Sequence, residues 1–140
     1  MRTDRLGVRV NRLAFAGEVC ADCCAKPLVQ DQVRRAGQRR LEAARDQDGE
    51  PLRVVTLPMP SPVVFDGERL PASYANFYIA NGVVIVPTFN DPADRVALNT
   101  LADLFPDRDV VGVHCVDLIL GLGTLHCLSQ QQPAAPVAKP

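Results

Sequence analysis

One stretch constrains the fold more than any other, Tyr74 to His114. Asn81-Gly82 separates two largely apolar runs, Tyr74–Ala80 (YANFYIA) and Val83–Pro87 (VVIVP). An Asn-Gly pair supplies the positive φ angles of a two-residue hairpin turn, so the runs read as paired strands. The unbroken VVIVP predicts a strand buried on both faces. Asp91-Pro92 then opens a helix, a cap carboxylate followed by proline at the first helical position. That helix is expected over Ala93–Leu104, burying Val96, Leu101 and Leu104, and Pro106-Asp107 stops it. Asp109–His114 (DVVGVH) reads as a third buried strand. The order strand, hairpin, strand, helix, strand makes one ββαβ unit, which buries little alone and needs neighbours.

Upstream lies what reads as the closing αβ half of a preceding unit. A helix is expected over Asp31–Arg45, with Asp31 as N-cap and Val33, Leu41 and Ala44 on one face. Gly37 weakens it, and Asp48-Gly49-Glu50-Pro51 ends it. Leu52–Leu57 (LRVVTL) then reads as a strand. Pro58, Pro60 and Pro62 cannot donate ladder hydrogen bonds, so an extended loop follows. The expected division is residues 1–38 as a divergent, out-of-frame or disordered N-terminus, 39–132 as the structured portion, and 133–140 (PAAPVAKP) as a disordered tail.

Composition excludes several functions. Fifteen basic and sixteen acidic residues give a net charge of -1, which removes the electrostatic case for nucleic acid or a membrane surface as partner. Val110–Leu128 is the longest apolar stretch, but His114, Asp117 and His126 interrupt it, so no membrane span is expected. The four arginines in the first twelve residues precede no apolar segment of the kind a signal peptide needs. Five cysteines, an odd number, argue against a disulfide framework and for a reducing cytoplasm. Cys20, Cys23 and Cys24 resemble half a zinc site, yet His114, Cys115, His126 and Cys127 complete no finger or ribbon spacing. Coincidence of composition is the preferred reading.

Chemistry is concentrated in Gly121-Leu122-Gly123-Thr124-Leu125-His126-Cys127-Leu128-Ser129-Gln130-Gln131. Gly121 and Gly123 allow tight turning or close approach of backbone to a ligand. If this is a strand, His126 and Cys127 point to opposite faces, and His126 is not the base for Cys127. On the residues alone, a buried structural cysteine is the commoner outcome.

Several segments in order change that weighting: Leu57-Pro58-Met59-Pro60, Gly67-Glu68-Arg69-Leu70-Pro71-Ala72-Ser73-Tyr74, Asn76-Phe77-Tyr78, Asn81-Gly82, Phe89-Asn90-Asp91-Pro92 and His126–Gln131. Together they resemble the C-terminal part of the agmatine deiminases, a family of guanidine-modifying enzymes that includes bacterial-type peptidyl-arginine deiminases. The resemblance covers about Arg40 to Pro133. It implies an α/β fold, the C-terminal fragment of a five-bladed α/β propeller (the pentein fold) built from ββαβ units. It also implies that Cys127 is the nucleophile attacking the guanidinium carbon of agmatine. Ammonia leaves a covalent thiouronium, which water hydrolyses to N-carbamoylputrescine, a step of putrescine biosynthesis. Such a reaction suits a thiolate whose charge is paired with a bound guanidinium. No metal or cofactor is implied. Gly121, Gly123 and Asn76 are the expected substrate-binding residues, and Tyr74 and Tyr78 read as packing.

Two departures stand beside the resemblance. The family's general acid/base histidine and guanidinium-clamping carboxylates lie in earlier blades, and neither His114 nor His126 occupies the acid/base motif. Asp66, Glu68, Asp91, Asp94 and Asp117 read as surface or capping groups. Residues 1–38 do not resemble the family. The expectation is therefore a truncated, inactive hydrolase fragment. The alternatives are a non-catalytic interaction module associating through exposed blade edges, or a peptidyl-arginine deiminase-type enzyme.

Overall fold

The computed structural model describes residues 13–17 and 27–132. The chain forms two parallel crossovers. In the first, β1 (Leu13–Gly17) leads through helix α1 (Pro27–Ala43) to β2 (Arg53–Leu57), and the two strands pair in parallel, Phe15 opposite Val55. In the second, β5 (Tyr78–Ile79) pairs antiparallel with β6 (Val83–Thr88), and α2 (Ala93–Leu104) carries the chain to β7 (Asp109–His114), parallel to β6. The short hairpin β3 (Val64–Phe65) and β4 (Glu68–Arg69) lies between them. The sheet order β5-β6-β7 and the intervening helix are the ββαβ unit expected from the pattern. The architecture is α/β.

The second crossover follows its sequence signals closely. The Asp91 carboxylate accepts from Ala93 N–H at 2.8 Å and satisfies one of the helix's unpaired donors, while Pro92 takes φ −54°. Ala97, Leu101 and Leu104 form the buried face. Val96 does not share it and is 54% exposed, because Ala97, one position on, faces the sheet instead. In β6, Val84, Val86 and Pro87 are fully buried while Val83 and Ile85 are half-buried, so burial is complete on one face and partial on the other. β7 is an edge strand, exposed at Val111 and Val113, and not the buried strand expected of DVVGVH. The core cluster runs from Leu57 through Tyr74, Phe77, Val84, Val86, Phe89, Leu101 and Phe105 to Cys115 and Ile119.

Other expectations shift. Helix α1 begins at Pro27, which places Asp31 inside it rather than at its cap, and ends at Ala43, two residues before Arg45. Gly49, at φ +81°, closes the turn that follows, where the Asp46 carboxylate accepts from the N–H groups of Asp48 and Glu50. The hairpin after Ala80 is closed by Ala80 N–H donating to Val83 C=O, but only Gly82 takes positive φ, and Asn81 does not. Asp66-Gly67 (φ +51° and +78°) makes the β3–β4 turn with both central residues at positive φ, as an Asp-Gly hairpin turn requires. Within residues 1–38 the structure describes β1 and the N-terminal part of α1. Cys20, Cys23, Cys24 and the tail 133–140 lie outside the described residues.

Candidate active site

Tyr74–Ala80 is not one strand. Ser73, with extended backbone, accepts Ala75 N–H on its hydroxyl at 3.2 Å and starts a 3-10 turn over Tyr74–Asn76. β5 is what remains of the expected strand. The turn sends Tyr74 inward, fully buried, and Asn76 towards the segment that carries the cysteine. Tyr74 packs on Phe89 and Phe77 on Phe105, so aromatic anchors flank Asn76 on both sides.

The cysteine segment leaves β7 at His114, buries Cys115, and makes a second 3-10 turn at Leu118–Gly121. Leu122 adopts the left-handed conformation, φ 63°, and reverses the chain. Gly123 and Thr124 are buried, and residues 125–128 form a turn rather than a strand. Leu128 N–H donates to Thr124 C=O at 3.0 Å, and Ser129 Oγ–H donates to Leu125 C=O. His126 and Cys127 therefore do not alternate across a strand, because their backbone is not extended.

Asn76 joins the two turns. Its Oδ1 accepts from His126 N–H at 2.9 Å and from Cys127 N–H at 3.2 Å, and its Nδ2–H donates to Cys127 Sγ at 2.9 Å. His126 N–H also approaches Asn76 C=O at 3.2 Å. Cys127 is exposed, in contrast to Cys115, whose thiol is fully buried and pushed up from its ordinary value by that burial. An open cavity of about 270 Å³ is lined by Ser73, Ala75, Asn76 and His126. A thiol reachable by solvent, held by an amide donor beside a cavity, is what a nucleophile requires.

Of the expected site residues, Asn76, Gly123 and Cys127 come together. A Cβ built at Gly123 would lie 2.7 Å from Cys127 Cβ and 3.1 Å from its Sγ, so only glycine fits there without displacing the cysteine. A Cβ at Gly121 meets nothing within 4 Å, so no close approach requires glycine at that position. Tyr78 is half-buried in β5. Among the described residues, no acidic side chain lines the cavity. Among the described residues, no group of three or more His, Cys, Asp or Glu is placed to hold a metal ion. Asp91 and Asp94 bind backbone N–H groups, as capping carboxylates should. Sequence reasoning missed Ser73 and Ala75. A serine two residues before the N–H it caps was the available signal.

The model of the Porphyromonas-type peptidyl-arginine deiminase family matches residues 9–133. The chain belongs to that family. The match begins at residue 9, well ahead of the Arg40 at which the sequence resemblance starts, and takes in β1 and α1. The agmatine deiminase of Stutzerimonas stutzeri is 40% identical over 118 residues, 71% of this chain and 32% of that protein. Agmatine deiminase of Pseudomonas putida is 40% identical over 112 residues, 67% of this chain and 30% of that protein. The solved agmatine deiminase of Enterococcus faecalis superposes with a TM-score of 0.67 at 32% identity, covering 73% of this chain and 33% of that structure. The chain thus spans about a third of the length of these relatives. Family members named in these comparisons are deiminases, hydrolases of the C–N bonds of amidines. No helix among the described residues is long and apolar enough to cross a membrane.

Proposed function

We propose that this chain carries the nucleophile-bearing part of an agmatine deiminase-type hydrolase, with Cys127 as nucleophile. The observation that carries the reading is the exposed Cys127 thiol, hydrogen-bonded by Asn76 beside an open cavity, in a chain of this family. In the reaction, the Cys127 thiolate forms a C–S bond to the guanidinium carbon of agmatine. The C–N bond to a terminal nitrogen breaks, and that nitrogen leaves as ammonia after taking a proton. Water then adds to the thiouronium carbon, the C–S bond breaks, and N-carbamoylputrescine departs as the thiolate is restored. Asn76 holds the sulfur and the two N–H groups around it, and Gly123 keeps the space behind the cysteine clear. The setting proposed for this step is polyamine synthesis in the cytoplasm, within a five-bladed propeller of which this chain forms about two blades.

Among the described residues no carboxylate lines the cavity to clamp a guanidinium, so the isolated 140-residue chain is expected to turn over agmatine little or not at all. Two measurements test the reading together. Ammonia release from agmatine should be negligible, and turnover abolished by Cys127→Ala would overturn the expected inactivity. Agmatine should slow alkylation of Cys127 by iodoacetamide, read by peptide mass. No protection at millimolar agmatine, with no turnover, would overturn the assignment of the site. A peptide ending in arginine, run in parallel, distinguishes the peptidyl-arginine alternative, which shares the guanidinium.

A second reading is favoured by a separate observation. Edge strand β7 exposes Val111 and Val113, and Leu120, Leu122 and Leu128 are exposed nearby in sequence. An unpaired edge with apolar side chains promotes association. On this reading the chain is a non-catalytic interaction module that pairs with itself. Size-exclusion chromatography returning a cooperatively melting monomer counts against it.

A further inference from the structure

The Asp94 carboxylate gathers three donors from separate parts of the chain. Oδ1 accepts from Tyr74 O–H at 2.6 Å and from Phe89 N–H at 3.0 Å, and Oδ2 accepts from Asp91 N–H at 3.1 Å. Asp91 in turn accepts from Ser61 N–H at 2.9 Å and from Ala93 N–H. One knot therefore ties the proline-rich loop, the end of β6 and the start of α2 to the ring of Tyr74. Tyr74 is fully buried, so its hydroxyl cannot exchange Asp94 for water without opening the core. It is also the first residue of the 3-10 turn whose last residue is Asn76.

We propose that Tyr74 and Asp94 are positioning residues for Cys127, fixing the 3-10 turn so that the Asn76 amide meets the N–H groups of His126 and Cys127 and the cysteine sulfur. Neither touches the sulfur or the cavity. They act through Asn76. A turn of three residues has few hydrogen bonds of its own, so its placement must come from anchors. The Tyr74–Asp94 bond is the polar anchor, and the Tyr74–Phe89 ring contact at 5.6 Å is the apolar one. Tyr74→Phe removes the first and keeps the second. The inference rests on the nucleophile reading only for its consequence in catalysis. The geometry it describes is measurable whether or not agmatine is the substrate.

The experiment is amide hydrogen exchange by NMR on the full chain, comparing wild type, Tyr74→Phe and Asp94→Asn, with Leu104→Ala as a core control. In both test variants, protection at His126 and Cys127 should fall about tenfold or more relative to protection at Val84, Val86 and Leu101, and those two amide protons should move upfield. The control should lower protection in the core without singling out residues 126 and 127. If the test variants fold but lose protection uniformly, or keep it at 126 and 127, the proposal is overturned. Should Tyr74→Phe fail to melt cooperatively, Asp94→Asn decides. If both lose cooperative melting, the bond serves folding rather than positioning and the proposal also fails. A negative agmatine-protection result alongside a positive exchange result would sink the substrate reading alone.

Discussion

The β6–α2–β7 crossover and the turn that carries Cys127 adjoin in sequence but are held by different forces. The crossover is held by burial. Val84, Val86, Ala97 and Leu101 have no exposed surface at all. The cysteine turn is held mainly by directed hydrogen bonds with the Asn76 side chain and by the absence of a side chain at Gly123. Burial is non-directional and tolerates approximate shapes, whereas a hydrogen-bonded turn needs particular atoms at particular places. Stability and site geometry should therefore be separable by mutation. The largest expected effect on stability comes from Leu101→Ala, at about 2–5 kcal/mol by denaturant titration. Where the variant remains folded, the alkylation rate of Cys127 should stay within about twofold of wild type. A large change in that rate would break the separation.

The same contrast explains what the sequence made legible. Helix α2 and strand β7 match their expected ranges, because caps, Asp-Pro and apolar periodicity act locally. The Cys127 nucleophile could be proposed from ordered motifs, and Asn76 was named beside it. How Asn76 reaches Cys127 was not legible. YANFYIA alternates well enough to pass as a strand, and only the Ser73 cap and contacts 50 and 51 residues away in sequence turn it into a 3-10 turn. That His126 and Cys127 lie in a turn and not in a strand was hidden for a related reason. Leu122 takes a left-handed conformation that nothing in a leucine announces. β7 was expected to be buried because DVVGVH is apolar, yet whether a strand is central or at an edge depends on neighbours that its own residues do not encode.

Gly123→Ala tests the other side of the comparison. The added methyl would sit 2.7 Å from Cys127 Cβ, so the turn must shift. The expected cost is about 1–3 kcal/mol, smaller than that of Leu101→Ala, but the local consequence is larger. The His126 and Cys127 amides should lose their protection while the core amides of β6 and α2 keep theirs. Gly121→Ala, with open space around the position, should change neither by more than about 0.5 kcal/mol. If Gly123→Ala proves as mild as Gly121→Ala, the turn is softer than its geometry implies, and the contrast between the two regions weakens.

The smallest expected effect is the pH dependence of stability, which acts through the core and the start of α2. Burial raises the Cys115 thiol above its ordinary value of 9.0. Tyr74 is raised from 10.0, first by burial and then by its bond to the Asp94 carboxylate. Both groups are harder to ionise folded than unfolded, so the unfolded chain releases their protons first as pH rises. Their contribution is fully present below pH 9.0 and declines as pH climbs through the thiol and then the phenol range. At the acid end the sign reverses. Hydrogen bonds from Ser61 and Ala93 hold the Asp91 carboxyl below 3.8, so its contribution is present above that value and lost as pH falls through the lowered one. Denaturant midpoints between pH 7 and 10.5 should therefore fall, and Cys115→Ala should flatten the part of the decline that begins near pH 9. An undiminished decline in Cys115→Ala would mean that the buried thiol does not carry it.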